Sequence, residues 1–172
     1  RSNSVWCLDT IRKRRLKFSI ISISMSNEAY TLAFREVVQQ TVVETGFEVP
    51  EDIETYIIAL LSSHVDKTNF LPEQSFAEAY FKLTHKSSYS AKELGDTCLI
   101  LSGVFPEYGE KTGLNESYYK NIGKSSYEQA SRILNRELFY MLYLHFDPIS
   151  EFIRMTTTRP VTPLIIGGRN GS

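Results

Sequence analysis

Apolar residues recur at steps of three and four along most of this chain, and no stretch alternates apolar with polar over the length of a strand. Tyr30, Ala33, Phe34, Val37, Val38 and Val42 share one side of a first helix, which Ser26 or Asn27 can cap. Gly46 sits where a left-handed terminator belongs. Pro50-Glu51-Asp52 opens a second helix: proline suits the first turn, and the acids complement the helix dipole. Its stripe is Ile53, Ile57, Leu60 and Leu61, with His64 on the same side, and it ends near Val65. Pro72-Glu73 restarts the pattern, placing Phe76, Ala79, Tyr80 and Leu83 on one face as far as about His85. Lys86-Ser87-Ser88-Tyr89 is a linker.

Ser90-Ala91-Lys92-Glu93 has capping-box spacing and opens a fourth helix bearing Leu94, Cys98, Leu99 and Leu101, stopped by Gly103 and Pro106. Glu107 to Leu114, with Gly109 and Gly113, is the most loop-like internal segment. Asn115 caps a fifth helix through Tyr119, Ile122, Ser126, Tyr127, Ala130, Ile133 and Leu134. Leu138 to Phe146 is apolar nearly all round, which predicts a place at the centre of the fold and a buried His145 with a hydrogen-bond partner. Asp147-Pro148 kinks that helix or caps a successor bearing Ile149, Phe152 and Ile153. The expectation is an all-α fold, a compact single-domain bundle of six or seven helices.

Length supports one domain, since 172 residues are few for two. At 42% hydrophobic and 23% charged, the composition is that of a globular chain. Charge is uneven. Residues 1–24 carry six bases against Asp9, a balance of +5, while residues 25–172 carry thirteen bases against nineteen acids, a balance of −6. The acidic body argues against nucleic acid as the main partner. Arg12 to Lys17 followed by Phe18 to Ile23 imitates a signal peptide, but the apolar part is short, broken by serine and lacks a cleavage pattern. Residues 1–24 are therefore expected to be an appendage, a mis-started or non-native extension rather than a basic tail or targeting segment. Met25 then opens a helical domain over 25–156. Thr156-Thr157-Thr158-Arg159-Pro160 and Pro163 disfavour a continuing helix, so 157–172 is expected to be an extended or flexible tail, with room for a short extended piece over Val161 to Ile166. Two cysteines without framework spacing favour a reducing, cytoplasmic setting, and no run approaches the roughly 18 apolar residues of a membrane span.

Chemical motifs are scarce. Gly123-Lys124-Ser125 ends like a phosphate-binding loop, but the earlier glycine position holds Tyr118, and Gly123 lies inside a helical pattern. His64, His85 and His145 have no metal-ligand spacing, and no metal or cofactor is expected. Cys98 lies among aliphatic neighbours, a buried hydrophobe rather than a nucleophile, and no glycine-flanked serine elbow or carboxylate pair stands out. The sequence therefore leans away from an enzyme.

One region departs from plain helix packing. Gly95 and Gly123 inside helices cost about 1 kcal/mol each relative to alanine, which implies close backbone approach or room for a ligand. Asp96 adjoins a core-facing stripe, and Tyr118, Tyr119 and Tyr127 can offer it hydroxyls. Two readings stay open: a buried polar clasp pinning two helices, or a ligand pocket between the fourth and fifth helices. Leu94-Gly95-Asp96, Leu99, Gly103, Phe105-Pro106, Tyr118-Tyr119, Gly123 and Tyr127 together form a pattern that resembles an uncharacterised bacterial family of helical domains. The resemblance spans residues 94–127 and implies a bacterial helical protein, with no activity, cofactor or catalytic residue attached. The leading functional expectation is a non-enzymatic interaction or regulatory module that binds another protein or itself, because the helical body is acidic, catalytic spacing is absent, and the chain is rich in aromatics, ten tyrosines and ten phenylalanines, with tyrosine suited to interfaces. A small-molecule-binding protein or enzyme using the pocket is the alternative.

Overall fold

The computed structural model describes residues 26–65, 67, 71–72, 75–83, 88–134 and 136–158. These form eight helices and no strand: α1 (Asn27–Thr45), α2 (Glu51–His64), α3 (Phe76–Leu83), α4 (Ser88–Val104), α5 (Glu107–Lys111), α6 (Glu116–Leu134), α7 (Glu137–Leu144) and α8 (Phe146–Thr158). The expected fourth and fifth helices are α4 and α6. Residues 1–24 and 159–172, including Val161 to Ile166, lie outside the described residues.

Local chemistry sets several of the ends. Ser26 Oγ accepts the Ala29 amide, and Gly46 closes α1 at φ 65° with its N–H on the Val42 carbonyl. Ser75 and Glu78 form a reciprocal capping box before α3, Oγ taking the Glu78 amide and Oε2 the Ser75 amide, each at 3.2 Å. Asn115 Oδ1 accepts the Tyr118 amide at 3.0 Å and starts α6.

Several sequence expectations are corrected. The segment read as a loop contains α5, because Tyr108 and Gly109 are buried there and a Cβ on Gly109 would stand 2.7 Å from the Leu114 carbonyl oxygen. The helix α4 begins at Ser88, ahead of the expected capping serine, and runs past Gly103 to Val104. Threonines do not end α8. Thr156, Thr157 and Thr158 each donate a hydroxyl to the carbonyl four residues back, at 2.9 Å, and Thr156 is buried. The apolar run from Leu138 breaks at His145, since the ring of Pro148 cannot share a helix with the Leu144 carbonyl, and Pro148 falls in the first turn of α8. His145 is consequently exposed rather than buried. So is part of α7: Phe139 and Leu142 face inward, whereas Tyr140 and Leu144 are 48% and 50% exposed.

The helices α4 and α6 make the most extensive pair, with α8 and α3 packed on α4 and α7 returning along α6. Glycine makes the close approach fit. A Cβ on Gly95 would lie 2.7 Å from the Tyr127 ring, and one on Gly123 would lie 2.6 Å from the Phe146 ring and 2.8 Å from Cys98 Cβ. The other layer is the α1–α2 hairpin, held to the rest through α8, α7 and the stacking of Phe47 on Phe152 at 5.3 Å.

Candidate functional site

The helix α4 carries Asp96 into this interior, where it is 5% exposed. Tyr127, from α6, donates its hydroxyl to Asp96 Oδ1 at 2.8 Å. Tyr56, from α2, donates to the same oxygen, and Lys92, one turn earlier on α4, donates to Oδ2 at 2.6 Å. The Lys92 ammonium also lies 5.4 Å from the centre of the Tyr56 ring. Phe139 packs edge-on to Tyr56 and face-on to Tyr127, and Phe146 meets the Tyr127 ring at a tilt. The carboxylate thus has three donors inside an aromatic sleeve. Burial, and then the Asp96 charge, push the Tyr56 and Tyr127 phenols far above their ordinary 10.0, so both keep their protons at neutral pH.

Tyr118 and Tyr119 are not part of this cluster. Tyr118 Oη accepts the Ala77 amide at 3.2 Å and fastens the start of α3 to α6. Tyr119 shares a hydrogen bond with Thr112 Oγ1 at 2.9 Å, and its ring packs on Phe76 and Tyr108. Helical geometry separates them: nine residues put Tyr118 on the opposite side of α6 from Tyr127, and eight residues put Tyr119 about 12 Å along the axis. Sequence reasoning missed Tyr56 and Lys92. Tyr56 stands at the core-facing spacing between Ile53 and Leu60, and a hydroxyl there needs a partner; Lys92 is at the ion-pair spacing from Asp96.

Other candidate chemistry is quiet. Cys98 is a free thiol, fully buried, with its pKa raised by that burial. Burial lowers the pKa of His64, whose Nδ1 lies 2.9 Å from the Leu60 carbonyl. Among the described residues no group of three or more His, Cys, Asp or Glu is arranged to hold a metal, and no helix is long and apolar enough to cross a membrane. A chain of ion pairs, Glu151–Arg154–Glu116–Lys120–Asp147–Lys124, joins α6 to α8 on the outside. Its Lys120 and Arg154 contacts hold Glu116 below the usual carboxylate range.

A groove of about 630 Å³ runs between α1 and α2. Asn27, Thr31, Arg35 and Gln39 form one wall, Glu51, Glu54, Thr55 and Ser63 the other, and Ile58, Ala59 and Ser62 also line it. Beside it on α1 stand Leu32 and Val43, 63% and 82% exposed. Charge concentrates here: residues 26–65 hold seven acids (Glu28, Glu36, Glu44, Glu48, Glu51, Asp52 and Glu54) against Arg35, a balance of −6, while residues 66–172 hold twelve of each sign.

The chain matches no protein-family model, no curated protein and no solved structure.

Proposed function

We propose that this protein is a non-enzymatic protein-protein interaction or regulatory module, working in a bacterial cytoplasm. The observation that carries the reading is the face of α1, where Leu32 and Val43 stand 63% and 82% exposed beside a groove long enough for a peptide segment. Large apolar side chains on a regular helix next to a concave surface favour a partner that covers them. The resemblance of residues 94–127 to a bacterial helical family and the sparse cysteines support the setting. The pocket between α4 and α6 has less behind it. Both Asp96 oxygens are engaged, and the Tyr127 and Phe146 rings occupy the space beside Gly95 and Gly123. These features favour the clasp.

Photo-crosslinking tests the reading. A benzophenone amino acid at Leu32 or Val43, in the full chain expressed in its source cells, is expected to capture one and the same identified protein, or a second copy, while the same probe at exposed Asn121 captures none. Failure of both positions to give an adduct would sink the proposal.

A further inference from the structure

We propose that the α1–α2 groove seats a basic amphipathic helix of a partner protein. This rests on the interaction reading and adds the chemistry of the partner. From Asn27 to Gln39 on α1, and from Glu51 to Ser63 on α2, the walls each extend about 18 Å, the length of more than three helical turns. Ile58, Ala59 and Ser62 lie between them, and the walls include the short side chains Thr31, Thr55 and Ser63, which let another helix axis come close. Leu32 and Val43 are eleven residues apart, so they project within about 20° of one another and about 16 Å apart along α1. That is the arrangement of two anchors meeting an apolar stripe with helical spacing.

Charge selects the occupant. The whole negative balance of the body lies in this hairpin, and the remainder is neutral, with Glu51 and Glu54 against Arg35 in the groove itself. Lysines or arginines flanking the partner's apolar stripe would face Glu51 and Glu54 in the groove and Glu28 and Glu36 on α1. Arg35 is the single base in the hairpin and lies in the groove wall, which provides one place for an acidic residue of the partner and so a sense of direction along the groove. An acidic partner would meet repulsion at every other charged position.

The probe is a fluorescein-labelled peptide of about 18 residues, five turns, with Leu and Lys at amphipathic helical spacing. Its counterpart has Glu in place of Lys. Anisotropy is read with the full-length protein at about 0.15 M salt, where long-range attraction is screened. The Lys peptide is expected to bind and the Glu peptide not to. Two variants are each expected to weaken binding by about tenfold or more with an unchanged melting temperature: Glu51→Lys with Glu54→Lys, which reverses the charge, and Ala59→Trp, which fills the groove. Binding untouched by both would place the peptide elsewhere and overturn the proposal. Equal binding of the Glu peptide would remove the basic partner. If Arg14→Glu with Arg15→Glu tightened Lys-peptide binding about tenfold, the chain's own leader would be the occupant and the partner helix would fall. Crosslinks from Leu32 and Val43 to a protein lacking a basic amphipathic helix would leave the interaction module standing and end this inference alone.

Discussion

Asp96 keeps its place in the core because every part of the carboxylate is used. Removing it would leave the Tyr56 and Tyr127 hydroxyls and the Lys92 ammonium without their acceptor. Asp96→Ala is therefore expected to cost about 3 kcal/mol or more in urea unfolding, and Asp96→Asn less, since an amide oxygen can still accept from both phenols. A loss below about 1 kcal/mol for the alanine variant would mean that the clasp does not hold the helices. The same contacts fix a pH response. Both phenols have raised pKa values in the folded protein and ionise near 10.0 when unfolded, so the folded state binds more protons in alkali. Stability is then complete below about pH 10 and falls above it, by about 1.4 kcal/mol per pH unit for each phenol. Unfolding measured across that range should show the slope nearly halved in Tyr127→Phe; an equal slope in both proteins would contradict the assignment. The sequence made Asp96 and Tyr127 recognisable, since a carboxylate beside a core stripe and a tyrosine within one must each find a partner. It could not join them to Tyr56, 40 residues from Asp96, because periodicity tells which way a side chain points and not which helix it meets.

At the level of elements, caps and stripes were legible where their signals are local, as at Ser26, Gly46 and Asn115. The Ser75–Glu78 capping box is equally local, but Pro72 offers a start signal three residues earlier that competes with it. The helix α7 was misplaced for a different reason. An all-round apolar sequence argues for burial, but an eight-residue helix behind the break at His145 packs Phe139 and Leu142 inward and leaves Tyr140 and Leu144 outside. The α4–α6 contact depends on what is absent from its side chains. Gly123→Ala gains up to about 1 kcal/mol of helix propensity, yet its methyl would overlap the Phe146 ring and Cys98, and overpacking of this kind costs about 1 to 3 kcal/mol. The expected balance is a lower melting temperature. A higher one would show that α8 can shift away from α6 without loss.

On the scale of the whole molecule, the chain divides into a nearly neutral core assembly of α3 to α8 and an acidic hairpin leaning on it. The outer ion-pair chain between α6 and α8 adds little to that assembly, because its carboxylates are substantially exposed and such pairs are screened by salt. All-helical class and approximate helix number followed from periodicity. The division did not, because it arises from which helices touch, and the whole-chain charge of −1 conceals it.

The hairpin's shallow attachment has a consequence for how the protein breathes. The helix α1 packs on α2 and, over a smaller area, on α8, whereas α4 and α6 are each enclosed by several neighbours. Opening the outer layer would sever the Tyr56–Asp96 hydrogen bond and the Phe47–Phe152 stack while leaving the glycine-lined contact of α4 with α6 intact. The amides of α1 should therefore exchange with deuterium by sub-global opening, well before those of α4 and α6, which wait for global unfolding. A ligand seated in the groove would slow the first class and leave the second unchanged, so the layer expected to open first is also the one such a ligand would stabilise.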